Sequence, residues 1–199
     1  MRFSDIFQDT VITLGGEVDE HMIRVFDKTL KDLHADPALG RKATILLTTY
    51  GGASGYAMGM FERLRLAQAS FDLTIVGLGV VYSHGVTLLM AFPKERRFVS
   101  NGTRLYIHEL QRSVKLSLEG SHSARRLLLD QERETFREEQ MTLEWMVQLI
   151  SDGCGRDPTD IRERLVAGAY FSGDEAVKFG LAGALVDESA EAESPLPEL

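Results

Sequence analysis

Apolar and polar positions along this chain switch between two periods. Runs rich in β-branched and aliphatic residues, "TVITLGG", "ATILLTTYGG" and "LTIVGLGVV", are each followed by a stretch of helical character, at 20 to 34, 55 to 69 and 84 to 92. This alternation predicts βαβ units and hence an α/β fold, a largely parallel sheet covered by helices. "ERRFVS" and "TRLYIHEL" are two further strand candidates. Asn101-Gly102 between them suits a tight turn because both residues tolerate positive φ, which predicts a hairpin.

From 121 to 151 the pattern is helical and free of Gly and Pro, yet its middle, "DQERETFREEQ", is almost wholly polar. A helix of that length reaches roughly 45 Å at 1.5 Å per residue, too long to hide in one small domain. It is expected to project and to find a partner; a solvated helix lying on the surface is the alternative. Gly and Pro in "DGCGRDP" break it, and a short helix over "TDIRERLVA" follows. Next come "AYFS" and a helix over "GDEAVKFG", opened by the capping box of Ser172 and Glu175 and stopped by Gly180. Residues 188–199, "ESAEAESPLPEL", are acidic and expected to be unstructured. The remainder, 1–187, reads as a single domain.

With 199 residues, 44% of them hydrophobic, the chain can bury one real core. A net charge of -8 argues against nucleic acid as a partner, because phosphate contacts need clustered Lys and Arg. No run approaches the roughly 20 apolar residues of a membrane span, and "MRFSDIFQDT" lacks the order of a signal peptide, so a cytoplasmic protein is expected. Cys154 is the only cysteine, which excludes an internal disulfide and argues against a cysteine-based metal site. No metal or other cofactor is expected.

Three strand ends carry candidate chemistry. Thr49-Tyr50-Gly51-Gly52 exposes backbone N–H groups ahead of a helix, or is a simple turn. Ser83 stands at the next strand-to-helix junction. Its hydroxyl either caps the helix or attacks an acyl group, since free amides at a helix start also stabilise the oxyanion such an attack creates. In Leu105-Tyr106-Ile107-His108 the period of two separates Leu105 and Ile107 from Tyr106 and His108, so His108 leaves the aliphatic face and could act as a base. His84 adjoins Ser83 but, entering a helix, should point elsewhere. His21, His34 and His122 show no ligand spacing and are assigned to the surface.

These pieces occur in an order that resembles the proteolytic subunit of the Clp protease, the ClpP family. "DTVITLGGEVDE" is similar to that family's first strand and helix start, and "TTYGGASGYAMGMFERLR" to its N-S-P-G-G-x-x-x-x-G-M segment. "YSHGVTLLMAF" resembles A-S-M-G-x-x-L-L-x-A, "NGTRLYIHE" resembles N-S-R-x-M-I-H-Q, and "YFSGDEAVKFGLAGALVD" resembles the terminal F-x-S-x-x-E-A-x-x-Y-G-L-x-D. The resemblance covers about residues 5 to 187.

The resemblance implies a crotonase-like fold and a serine endopeptidase. Ser83 matches the nucleophile, His108 its general base, and the backbone N–H groups of Gly52 and His84 the oxyanion donors. The helix from 121 to 151 matches the handle that interlocks two rings of a homo-oligomer, a tetradecamer in the family. Unfolded polypeptides would be threaded into its chamber by an ATP-driven unfoldase. The family's third catalytic residue, an aspartate, falls on Ala169, which cannot accept an imidazole N–H. Asp157, Asp160, Asp174 and Glu109 are carboxylates that could replace it, though none is well placed by pattern. Tyr50 and His84 stand where the family has proline and methionine, and "LQRSVKLSLEG" stands where it has a glycine-rich segment. Two further readings follow: a catalytically impaired subunit in a mixed ring with a ClpP paralogue, and a crotonase-type acyl-CoA enzyme using the Gly51-Gly52 amides.

Overall fold

Three long parallel strands set the frame, β1 (Thr10–Val18), β2 (Lys42–Gly52) and β3 (Asp72–Tyr82), in a computed structural model that describes residues 1–110 and 121–187. Each long strand leads into a helix: α1 (Glu20–Ala35), α2 (Ser54–Ala67) and α3 (His84–Leu89). Such strand-helix alternation is what the hydrophobic pattern predicts. Aliphatic residues of β2 and β3, among them Ile45, Leu47, Leu73 and Ile75, are fully buried, as expected of parallel strands covered by helices. The helix predicted over 84 to 92 stops at Leu89, three residues short, in a turn that leads into Pro93, whose ring disfavours helical backbone before it.

The predicted hairpin does not form. Strands β4 (Arg97–Val99) and β5 (Arg104–Ile107) both pair parallel with β3, one beside Ile75 to Gly77 and the other beside Val80 to Tyr82. Asn101-Gly102 does make a turn, but the turn shifts the chain and does not reverse it. Gly77 explains this: its carbonyl accepts from both Ser100 N–H, at 3.2 Å, and Thr103 Oγ1, at 2.9 Å, and so ties both sides of the turn to one strand. The sheet is completed by β6 (Ala169–Ser172), antiparallel on β5, and β7 (Ala184–Leu185), parallel on β4.

The long helix, α4 (His122–Cys154), is capped by Ser121, whose side chain accepts from Ala124 N–H. Among the described residues its buried side chains, Thr142, Met146, Val147, Ile150 and Ser151, all fall in the C-terminal part, which packs on the core. The helix passes through Gly153, expected to break it, and ends before the left-handed Gly155. Glycine at 153 lets the neighbours pack closely: a β-carbon there would stand 2.6 Å from Met90 Sδ and push that side chain aside. The fully buried Arg97 donates from Nη2 to the Gly153 carbonyl at 2.6 Å, a cation at a helix C-terminus where the dipole favours one.

After α4, α5 (Pro158–Ala167) is capped by Asp157, and α6 (Gly173–Phe179) opens with the predicted Ser172–Glu175 box and ends at Gly180. Cys154 is half-buried, and burial pushes its thiol up to about 11, which makes it unreactive. No helix of the described residues is long and apolar enough to cross a membrane. The predicted acidic tail and the segment from Gln111 to Gly120 lie outside the described residues.

Candidate active site

Parallel register brings the C-terminal ends of three strands side by side, the edge where open α/β sheets bind ligands. Thr49 of β2 is opposite Val81 of β3, and Tyr82 of β3 is opposite Tyr106 of β5. Gly51-Gly52, Ser83 and His108 therefore meet at one place, although 25 or more residues separate each from the next in the chain.

Ser83 has φ 54 and ψ -125, the one positive φ outside glycine among the described residues. Its backbone is held on both sides: the N–H donates to the Tyr106 carbonyl at 2.7 Å, and its own carbonyl accepts from Val86 N–H at 2.9 Å. The side chain does not cap α3. Of the two roles open to this hydroxyl, capping is thus vacant, and the backbone conformation is one that costs of order 1–3 kcal/mol and is met at functional turns.

His108 continues the face of Tyr106, as the period of two predicts: Leu105 and Ile107 are fully buried and contribute about 2 kcal/mol each by burial. The imidazole stacks on the Tyr106 ring, with centroids 4.8 Å apart and planes at 17°. Its Nδ1 is buried with no hydrogen-bond partner. Ala169 pairs with Ile107 and packs on the core. Asp157 is occupied by the Thr159 N–H and Asp160 by Arg164, so neither serves the histidine. With Nδ1 enclosed, Nε2 is the nitrogen left for a reacting group. Ser83 and His108 share no hydrogen bond here, and such contacts often tighten only when substrate binds.

His84 turns into the molecule. It is fully buried, and its Nε2 lies 3.0 Å from Ser54 Oγ, the first residue of α2. Burial above all, aided by His108, lowers its pKa to about 4, so the ring is neutral near pH 7. The Ser54–His84 bond joins the two helix starts that follow Gly52 and Ser83. The His84 N–H opens α3 and has no intrahelical acceptor. Gly51 N–H is taken by Thr49 Oγ1 at 3.0 Å, while Gly52 is exposed beside Val18.

Two features escape a reading of the residues alone. Ser54 has no motif to announce it as the partner of His84. Tyr50, Tyr82, Tyr106 and Tyr170 form one aromatic row across β2, β3, β5 and β6, with ring centroids between 4.0 and 6.0 Å apart. Their positions next to Gly51, Ser83 and Ala169 and two before His108 were the available clue. His21, His34 and His122 are exposed, as assigned. Among the described residues no three His, Cys, Asp or Glu side chains converge as a metal centre needs. The groups gathered here, a hydroxyl, an imidazole and backbone amides, suit acyl transfer.

The family profile described as Clp protease matches residues 1–189. An ATP-dependent Clp protease proteolytic subunit 2 from Rhodococcus jostii is 23% identical over 191 residues, covering 96% of this chain and 90% of that protein. An ATP-dependent Clp protease proteolytic subunit from Porphyromonas gingivalis is 22% identical over 188 residues, covering 94% and 78%. The solved structure of a ClpP1 mutant from Listeria monocytogenes superposes with a TM-score of 0.68 at 18% identity, covering 94% of this chain and 96% of that one.

Proposed function

The chain belongs to the Clp protease family and has its crotonase-like fold, and from that premise we propose that it is a serine endopeptidase subunit acting through Ser83 and His108. The observation that carries this reading is the strained backbone of Ser83, whose hydroxyl serves no cap, beside the strand end that bears His108.

The reaction is acyl transfer in two halves. Ser83 Oγ bonds to the scissile carbonyl carbon as its proton passes to His108 Nε2. The N–H groups of Gly52 and His84 meet the oxyanion, and the Ser54–His84 bond steadies the second of them. The C–N bond then breaks as His108 returns the proton to the leaving amine. Water, activated by the same imidazole, cleaves the ester, releasing a carboxylate and restoring the hydroxyl. In serine proteases, losing the support of the aspartate costs about 10⁴-fold, or about 5.5 kcal/mol of barrier. With Ala169 in that place, turnover is expected to be slow.

Family members form oligomeric rings that work with ATPase partners. For this chain we propose stacked homo-oligomeric rings joined through α4, fed with unfolded polypeptide by an ATP-driven unfoldase. The unpartnered Nδ1 of His108 favours a second reading, an impaired subunit that supports an active paralogue in a mixed ring. One experiment separates them: the purified, assembled chain is treated with a fluorophosphonate probe and a fluorogenic peptide. Labelling at Ser83 with slow cleavage supports the enzyme. Intact rings without labelling at Ser83 overturn it and leave the structural subunit.

A further inference from the structure

We infer that Tyr106 is the positioning residue of His108: its ring, stacked on the imidazole and braced by Tyr170 and Tyr82, holds the base where no carboxylate does. This rests on the reading of Ser83 and His108 as nucleophile and base.

The histidine needs such support. A base that takes a proton from a serine must present one nitrogen steadily and carry a positive charge in the transition state, and both tasks commonly fall to an acceptor on the far nitrogen. Here that nitrogen, Nδ1, is buried without a partner. What touches the ring instead is Tyr106, nearly parallel to it at 4.8 Å.

Tyr106 is itself immobilised. Tyr170, opposite it across the antiparallel β5–β6 pair, stacks on its ring at 4.0 Å and 17°. Tyr82 meets both rings edge-on, at 5.8 and 6.0 Å. Offset-stacked and edge-to-face pairs of this kind are the favoured aromatic arrangements. The position is also reserved by sequence: at Gly168, with φ +74, a β-carbon would stand 2.6 Å from the Tyr106 hydroxyl. Any other residue there would displace the tyrosine.

The same residue governs both reacting partners. Its carbonyl accepts the Ser83 N–H at 2.7 Å, its ring faces His108, and Tyr82, which adjoins Ser83, leans on that ring. The spacing between hydroxyl and imidazole is thus set through one residue, by its backbone carbonyl on the serine side and its ring on the histidine side. The tyrosine face also attracts the imidazolium formed during transfer, an effect worth roughly two- to thirtyfold in rate for cation–π contacts of this range. That recovers only a small part of the loss of about 10⁴-fold that a missing aspartate brings.

The test compares Tyr106→Leu, which removes the ring, with Tyr106→Phe, which keeps it. The readouts are kcat and KM on a fluorogenic peptide, the rate of fluorophosphonate labelling, and the mobility of the His108 ring from side-chain NMR relaxation. Tyr106→Leu is expected to lower kcat and labelling two- to thirtyfold with KM within twofold, and to loosen the His108 ring; Tyr106→Phe is expected to match the wild type. Should Tyr106→Leu fail to fold, Tyr170→Leu, at an exposed position, is expected to move the same readouts in the same direction. Unchanged kcat and ring mobility in the leucine variant, or equal losses in the leucine and phenylalanine variants, overturn the inference. Absence of labelling in the wild type overturns the peptidase reading instead, while the ring mobility still decides whether Tyr106 orients His108.

Discussion

A β-carbon on Gly51 would stand 2.7 Å from Cβ of Ser83 and 3.2 Å from its Oγ, so the two residues touch back to back. The glycine also has φ +104, a region closed to most side chains. Gly51→Ala is therefore expected to cost about 2–4 kcal/mol of stability, from overpacking and backbone strain together, and to abolish labelling at Ser83. Chemical denaturation and a fluorophosphonate gel check both; a variant as stable and as reactive as the parent would show that the contact does not matter.

Strain at Ser83 leads to an opposite expectation for the serine itself. Ser83→Gly should be more stable than Ser83→Ala by about 1 kcal/mol, because glycine adopts the observed φ without cost whereas alanine keeps the strain. Neither variant should react with the probe. Equal melting temperatures for the two would mean that Ser83 holds no strain.

Acid should weaken the fold through His84. Its pKa of about 4 in the fold lies below the ordinary 6.5, so between these values the unfolded chain takes up a proton that the folded chain refuses. Stability from this group is complete above about pH 6.5 and declines as the pH falls toward 4. The gap corresponds to about 3 kcal/mol at most. Urea titrations at pH 7.5, 6 and 5 should show the decline, and His84→Met should flatten it; an equal slope in the variant would assign the acid sensitivity elsewhere.

On α4, Phe136 is 59% exposed and lies N-terminal to the residues by which the helix packs on the core. Phe136→Glu is expected to leave the circular dichroism spectrum unchanged and to shift sedimentation toward smaller assemblies. Identical sedimentation profiles would remove this face from the subunit contacts.

Local chemistry was readable in the residues, and long-range register was not. The alternation of Leu105 and Ile107 with Tyr106 and His108, the box of Ser172 and Glu175, and the length of α4 all follow from neighbours within a few positions. Asn101-Gly102 misled because a turn dipeptide fixes a bend and not what the next strand pairs with; Gly77, more than twenty residues earlier, decides that. The Ser54–His84 bond and the tyrosine row escaped for the same reason: each exists only once separate strands lie in a particular register. Ser83 shows the boundary well. Its place at a strand-to-helix junction was legible, but whether its hydroxyl caps the helix depends on torsion angles that a junction leaves open.

Among the described residues, α4 is buried only near its C-terminal end, in the manner of a cantilever held at its root. A load applied to its free length converges on a short root, where Met146, Val147 and Ile150 press on the core and Arg97 grips the Gly153 carbonyl. Arg97 begins β4, which pairs with β3, the strand that ends at Tyr82, one residue before Ser83. The root of α4 and the strand that leads to Ser83 are thus joined mechanically, through a buried guanidinium as well as through apolar packing.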